Sequence, residues 1–192
     1  MAPPLTVSFV GSFGIYDSAE GAWSVDELEA IRGEGLTRVE KIAVIEGRAP
    51  LVVSDSDWVL RGTTGAERYV NRAEREALFA IQPPLGRAEA GCAALIPVRK
   101  SEEWWGLAQD ERREIFEERS HHTALGLKYL PAIARRLHHS RELGEEFDFL
   151  TWFEFEPRDT GAFEELVAAL RETLEWSYVE REVDIRLSRP VP

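Results

Sequence analysis

The sequence predicts an α+β fold in which a twisted sheet carries helices on one face. Residues 147–155 place phenylalanines at odd positions, and this period of two is typical of a strand. Residues 163–174 space their apolar side chains as an amphipathic helix does. Residues 178–187 alternate again, interrupted only by the charged Arg181. With the elements before them, these segments give the order strand, helices, strand, helix, strand, which is typical of a ferredoxin-like unit.

The other elements follow from local composition and turn residues. Strands are predicted over residues 5–10, 36–45, 56–61 and 90–98, and helices over residues 26–31, 67–80 and 102–119. A further helical stretch begins near Ser120, residues 82–86 form a turn, and Asp159 or Thr160 caps the last helix.

A weaker copy of the C-terminal pattern occupies residues 5–89, and no Ser/Gly-rich linker follows it. We therefore expect two fused ferredoxin-like units within one compact structural domain. Residues 1–89 would form a reduced N-terminal unit, and residues 90–192 would form the C-terminal unit.

Composition restricts the classes of partner. The 192 residues are 44% hydrophobic and 30% charged, as in ordinary soluble globular proteins. A net charge of −12 argues against nucleic acid as a partner, so an anion site must be a local basic pocket. The single Cys92 excludes an intrachain disulfide and a thiolate metal cluster. No signal-like N-terminus and no run of ~20 apolar residues is present, so we expect a cytoplasmic protein without a membrane partner.

Residues 120–136 contain the most informative pattern. A pair of histidines, His121 and His122, precedes Arg135, and Pro131 lies between them. Pro131 disfavours helical geometry at the residue before it and suits the first turn of a new helix, so the histidines and Arg135 should lie on separate elements. They can then face one another across a bound group. Adjacent helical residues point about 100° apart, so only one histidine can face a given pocket; the residues alone leave open which one, or a surface role for both.

This run, together with Lys100-Ser101 and residues 147–154, resembles the short form of the chlorite dismutase family of haem proteins. The resemblance implies a dimeric α+β barrel, a homodimer, and haem b as the cofactor with its iron bound by His122. It also implies that Glu175 accepts the other N–H of that imidazole and that Lys100 in turn holds Glu175.

Four further residues match positions of this family. Arg135 corresponds to a distal arginine that holds oxyanions, and Gln82 to a glutamine that holds this arginine in one of its orientations. Trp105 and Trp152 match aromatic positions of the haem pocket or of its packing. Core packing is favoured for both, and Trp105 is the candidate cofactor contact of the two.

The implied activity is the conversion of chlorite to chloride and dioxygen through a ferryl and hypochlorite pair, with chlorite or another small anion as the ligand. A coprohaem decarboxylase is the alternative within the superfamily. Those enzymes typically carry a tyrosine before a proline where this chain has Ile96-Pro97, and they lack the distal arginine. A haem-binding or haem-sensing dimer without turnover is the third possibility.

Overall fold

A closed barrel of antiparallel strands forms the centre of the described structure, a computed structural model that covers residues 12–17, 21–47, 57–64, 76 and 81–191. Its strands are β1 (Ser12–Asp17), β2 (Trp23–Arg32), β3 (Lys41–Gly47), β4 (Val59–Thr63), β5 (Cys92–Lys100), β6 (Ala134–His139), β7 (Phe149–Phe155) and β8 (Val179–Ser188). Their order around the barrel is β1-β3-β2-β8-β5-β7-β6-β4.

The strand order is the same in the two halves of the chain. The first four strands are neighbours in the order β4-β1-β3-β2, and the last four repeat the same scheme as β8-β5-β7-β6. The halves join through β2 with β8 and, by the pair Thr63 and His139, through β4 with β6. The predicted α+β class with ferredoxin-like sheet order is confirmed. The boundary between residues 89 and 90 stays a prediction.

Helices cover one part of this barrel. The described residues form α1 (Glu102–Gly106), α2 (Gln109–Arg113), a π-helical turn (Glu114–Arg119), α3 (His122–Tyr129) and α4 (Thr160–Arg171), with short 3₁₀ turns at Arg141–Leu143, Pro157–Asp159 and Leu174–Tyr178. All but α4 and the 3₁₀ turns connect β5 to β6. None of the described helices is both long and apolar enough to cross a membrane.

The two faces of β7 show how the core is divided. Leu150 and Trp152 point into the barrel, where Trp152 lies edge-on to Trp23 with ring centroids 5.5 Å apart. Phe153 and Phe155 belong to the outer layer, which packs against α4. The predicted period of two is therefore confirmed within β7. Phe147 precedes the strand and packs with the barrel interior instead of with the other phenylalanines.

The predicted helix at residues 26–31 is wrong, because these residues lie in β2. This strand pairs with β8 over most of its length, and Leu28 packs against the barrel core while charged neighbours face outward. Tertiary pairing outweighs local helix propensity here.

Other boundaries shift. The strand predicted over residues 36–45 begins only at Lys41, as β3. The strands predicted over residues 56–61 and 90–98 correspond to β4 and β5, and each is shifted towards the C-terminus. The predicted strand 5–10 lies outside the described residues, as does the helix 67–80 apart from the helical Glu76.

The helical predictions hold in part. The segment 102–119 is interrupted at Leu107 and Ala108, whose backbones are extended. The last helix ends at Arg171, so Leu174 lies in the next 3₁₀ turn. Residues 82–86 form neither helix nor strand, as predicted.

Pro131 separates two elements, as predicted. Helix α3 ends at Tyr129, and Leu130 is extended with ψ 145°. The new helix expected after Pro131 is wrong, because Ala134–His139 is strand β6 and pairs with β7 at every position. Proline restricts only its own φ and the residue before it, whereas pairing with β7 makes the residues after it a strand. Arg135 therefore lies on a strand.

Candidate active site

A cavity of about 570 Å³ lies between the outer faces of β5, β6 and β7 and the helical layer. Most of its wall is apolar or aromatic, and a few charged side chains converge on it, as is typical of small-molecule and cofactor sites. Its lining comprises Thr64, Gln82, Pro83, Pro84, Ile96, Val98, Lys100, Trp104, Phe116, His122, Thr123, Arg135, Arg136, Leu137, His139, Phe149, Thr151, Phe153, Val167, Leu170, Glu175 and Trp176.

Three predicted residues form a charged chain on one side of this cavity. Glu175 Oε2 lies 2.6 Å from His122 Nδ1, and its Oε1 accepts a hydrogen bond of 2.8 Å from Lys100 Nζ. Lys100 and Glu175 are only 3% and 4% exposed. Lys100 ends β5, His122 begins α3, and Glu175 lies in the 3₁₀ turn before β8. Ser120 Oγ also accepts the main-chain N–H of Glu175 at 3.0 Å, which fixes this turn against the start of α3.

The contact with Glu175 determines which nitrogen of the His122 imidazole carries the proton. Burial raises the pKa of Glu175, but the positive charge of Lys100 and the hydrogen bonds from His122 and Lys100 outweigh burial and lower that pKa to about 2. An ionised carboxylate only accepts hydrogen bonds, so the neutral imidazole carries its proton on Nδ1. Nε2 of His122 then keeps the lone pair that can bind a metal.

Two residues of the π-helical turn contact the start of α3 and hold His122 in place. The ring of Phe116 stacks on the imidazole with centroids 4.3 Å apart and an interplanar angle of 21°. Glu117 Oε2 accepts the main-chain N–H of Thr123 at 2.9 Å, which caps the first turn of α3. His121 precedes this helix with φ 51°, is exposed, and does not line the cavity. Of the two histidines, the structure thus brings His122 to the cavity.

Arg135 borders the same cavity from β6. Within the described part of the chain, its guanidinium makes no hydrogen bond or ion pair that would compete for its donors. Burial lowers the pKa of Arg135, and the charges of Glu175 and Glu117 counteract this. A guanidinium stays charged under these conditions, so Arg135 presents a cation to the cavity.

Gln82 contacts Arg135 in a way that the sequence did not indicate. Its side-chain amide donates a hydrogen bond to the main-chain carbonyl of Arg135, not to any group of the guanidinium. Glu154 Oε2 accepts the N–H of Gly86 at 2.6 Å, so both ends of the segment 82–86 are attached to β6 and β7. Gln82 therefore positions the strand that carries Arg135.

Neither predicted tryptophan lines the cavity. Trp105 donates a hydrogen bond of 3.0 Å to Asp148 and stacks on Phe149, so it supports the wall from behind. Trp152 packs inside the barrel. Trp104, which the sequence analysis missed, lines the cavity instead, and Lys100 Nζ lies 4.9 Å from its ring centroid. Ser101, the N-cap of α1, was a usable signal, because a helix starting there turns its third residue back towards Lys100.

Several other wall residues also escaped sequence reasoning. Phe116, Thr123, Val167, Leu170 and Trp176 are apolar or small side chains of ordinary amphipathic segments. Nothing in the sequence distinguishes such residues from core residues, because a cavity wall and a core use the same side chains.

Comparison with known proteins identifies the family. The chlorite dismutase family model matches residues 51–191, almost three quarters of the chain. The chain belongs to the chlorite dismutase family. It is also 31% identical over 134 residues to the chlorite dismutase of Ideonella dechloratans. That alignment covers 65% of this chain but only 42% of the curated relative, so this chain spans about two fifths of the relative's length.

Solved structures of this family have the same fold. A crystal structure of dimeric chlorite dismutases from Nitrobacter winogradskyi superposes with a TM-score of 0.85 at 52% identity, over 92% of this chain and 99% of that chain. A chlorite dismutase from Candidatus Nitrospira defluvii, in complex with imidazole, gives a TM-score of 0.65 at 21% identity, over 94% of this chain and 91% of that chain. The second similarity supports the fold alone.

Proposed function

We propose that the protein binds haem b and converts chlorite to chloride and dioxygen. The observation that carries this proposal is the convergence of two groups on one cavity. His122, held by the buried Glu175 and Lys100, lies on its wall, and so does the cationic Arg135. Family membership supports the same reaction.

The residues around the cavity fit a haem. A macrocycle needs a large apolar slot, and the cavity provides about 570 Å³ bounded by aromatic and aliphatic side chains such as Trp104, Phe149 and Leu170. A metal-ligating histidine typically donates its second N–H to a carboxylate, as His122 does to Glu175. His122 would therefore bind the iron. When bound, haem supplies the redox chemistry at the oxygen atoms of chlorite.

Glu175 and Lys100 tune the ligand. The ionised carboxylate accepts a hydrogen bond from the Nδ1–H of His122 and places negative charge next to the imidazole, which makes Nε2 a stronger electron-pair donor to a metal. Lys100 keeps this carboxylate ionised in spite of its burial. An imidazole with this character stabilises oxidised iron.

Arg135 binds the anions. Its planar fork of N–H donors suits an oxyanion. Its positive charge attracts an anion within the cavity, although the protein as a whole carries a net charge of −12. In our proposal it holds chlorite and then hypochlorite, until one chlorite anion has become one chloride and one dioxygen. This reaction consumes no external electrons or protons.

Oxygen release after addition of chlorite to the haem-loaded protein, measured with an oxygen electrode, tests the proposal. Arg135→Ala should turn over at first, then lose activity after fewer cycles and chlorinate an added hypochlorite trap more than wild type does. Arg135→Lys should fall between the two, because lysine keeps the charge but loses the fork. Arg158→Ala removes an exposed arginine that does not line the cavity and is the control.

Two results would reject parts of the proposal. Ferric haem without oxygen release would leave a haem-binding or haem-sensing protein. Equal trap chlorination and equal lifetime in wild type and Arg135→Ala would remove Arg135 from the reaction. Decarboxylation of coprohaem is disfavoured, because Ile96 lines the cavity and has no phenol to oxidise.

We also propose that two copies of the chain assemble. The relative from Nitrobacter winogradskyi is dimeric, and this chain covers 99% of it at 52% identity. Light scattering of the haem-loaded protein should give twice the mass of one chain, and a monomeric mass would contradict the proposal. A cytoplasmic location stays a prediction.

A further inference from the structure

Asp148 is a buried acidic residue that the proposed function does not use. It lies directly before Phe149, where β7 begins, and is 3% exposed. Its Oδ2 accepts hydrogen bonds of 2.7 Å from the main-chain N–H of Lys100 and of 3.0 Å from the indole N–H of Trp105. Its Oδ1 accepts one of 3.2 Å from Arg141. One carboxylate thus joins the end of β5, helix α1 and the turn after β6.

The hydrogen bond to Lys100 replaces a main-chain bond of the sheet. Pairing of β5 with β7 ends at Val98 and Phe149, but β5 continues to Lys100. The main-chain N–H of Asp148 donates to the carbonyl of Val98 at 2.9 Å. Alternate residues of a strand direct their main-chain groups to the same neighbour, so Lys100 also directs its N–H towards β7. There the side chain of Asp148 accepts it instead of a carbonyl.

The ammonium of Lys100 has little freedom in its position. Nζ donates to Oε1 of Glu175 at 2.8 Å and to the main-chain carbonyl of the same residue at 3.1 Å. Lys100 also lies where the pairing of β5 with β8 shifts register. At such an irregularity the regular ladder is interrupted, so the main chain needs another support. Asp148 provides this support at the residue that carries the ammonium.

We propose that Asp148 is a positioning residue for Lys100: its carboxylate fixes the main chain at the end of β5 and thereby the point from which the ammonium reaches Glu175. Asp148 does not line the cavity, so a group bound in the cavity leaves this contact in place. The effect on bound iron rests on the proposed function. The link from Asp148 to the ion pair of Lys100 and Glu175 does not.

Two conservative variants separate the hydrogen bond of Asp148 from its charge. Asp148→Asn removes the charge. Both donors at Oδ2 require an oxygen, so the amide oxygen takes that place and keeps the bond to Lys100. The amide NH₂ then faces Arg141, whose side chain is 39% exposed and can turn to solvent. Asp148→Glu does the opposite, because it keeps the charge and displaces the oxygens by one methylene. Asp148→Ala removes both the bond and the charge.

The first test is a double-mutant cycle on unfolding of the haem-free protein. Asp148→Ala leaves buried N–H groups without an acceptor and should raise the unfolding equilibrium constant by about tenfold or more. Since Lys100 is then displaced, the effect of Glu175→Gln on this constant should be about three- to thirtyfold smaller than in wild type. Asp184→Ala removes a similarly buried carboxylate of β8 whose partners are arginines. This control should destabilise the protein and leave the effect of Glu175→Gln unchanged.

The second test measures the reduction potential of the haem-loaded protein. Asp148→Ala should shift the potential upward, in the same direction as Lys100→Ala, because both weaken the hold on Glu175. In the Lys100→Ala background, Asp148→Ala should add no such shift. Asp148→Glu should also raise the potential, whereas Asp148→Asn should stay closer to wild type because Lys100 keeps its acceptor. Asp184→Ala, although destabilising, should leave the potential unchanged.

The two tests together decide the inference. Absence of coupling in the unfolding cycle would overturn it, and so would an equal shift of potential from Asp148→Ala with and without Lys100. Coupling with an unchanged potential would reduce Asp148 to a structural role. A shift in Asp148→Asn as large as in Asp148→Ala would show that the residue acts by its charge, which also contradicts the inference.

Two further results have a defined meaning. If Asp148→Ala does not fold, Asp148→Glu takes its place in both tests with the same expected directions. Failure of wild type to take up haem would count against the proposed function, and the unfolding cycle would still decide whether Asp148 positions Lys100.

Discussion

The two halves of the barrel share a strand order but differ in what joins their first two strands. β1 is connected to β2 by residues 18–22, whereas β5 is connected to β6 by residues 101–133. The long connection contains His122 and the π-helical turn that holds it, and Arg135 follows on β6. The repeated sheet thus provides a frame, and a connection present in one half provides the chemistry. Sheet order alone says little about where function lies.

The largest expected effect is at the centre of the long connection. His122→Ala should abolish stable ligation of haem iron, because Nε2 of this imidazole is the metal ligand in our proposal. His121→Ala, one residue away and exposed, should retain it. Soret spectra of the two reconstituted variants provide the measurement. Equal spectra would show that the long connection does not carry the ligand at His122.

A smaller effect is expected at the turn before β8. Glu175→Gln leaves the ammonium of Lys100 buried without its charged partner, which should cost about 3–5 kcal/mol of unfolding free energy. It should also raise the reduction potential of bound iron, because the imidazole loses a neighbouring negative charge. Lys100→Ala should raise the potential as well. Denaturant unfolding and redox titration measure these effects, and potentials unchanged in both variants would remove the pair from the ligand's environment.

A matched pair of core variants compares the halves directly. Leu60 in β4 and Leu95 in β5 both point into the barrel and are 1% and 0% exposed. Each change to alanine should cost about 2–5 kcal/mol of unfolding free energy. Neither should change the reduction potential of the folded, haem-loaded protein. If Leu60→Ala shifts the reduction potential as much as Glu175→Gln does, the first half of the barrel also influences the cofactor, which would contradict the division of roles between the halves.

The smallest expected effect is a pH dependence of stability. Burial lowers the pKa of His138, which faces the barrel interior, to about 3. The unfolded chain takes up this proton near pH 6.5 while the folded protein does not, so the unfolding free energy should fall by about 2 kcal/mol from pH 6.5 to 4.5. His138→Gln should flatten this slope in urea unfolding, with His121→Gln as the exposed control. An unchanged slope would contradict the assignment.

Local patterns predicted the fold best where one face of an element is buried. The alternation in β7 and the apolar stripe of α4 were visible in the sequence, because each residue's neighbours along the chain reveal its face. Residues 26–31 were mistaken for a helix because only pairing with β8 makes them a strand. Likewise, the residues after Pro131 carry no local signal that distinguishes strand β6 from a new helix.

The candidate site was less accessible to reasoning from residues alone. Lys100 and Glu175 are 75 positions apart, and their ion pair exists only because β5 and β8 are neighbours. Resemblance to a family supplied that pairing, and the geometry agrees with it. Resemblance did not supply Trp104 or the main-chain target of Gln82, since both depend on the local path of the backbone.

The contrast between Arg135 and the surface around it has a kinetic consequence. At distances beyond a Debye length, about 8 Å in physiological salt, an approaching anion experiences the net charge of −12 and is repelled. Only inside the cavity does the attraction of Arg135 exceed this repulsion. Added salt screens the long-range term more than the short-range one, so the association rate of an anion should rise with ionic strength while its dissociation rate changes little. For this protein, the acidic exterior slows anion capture and the buried cation governs retention.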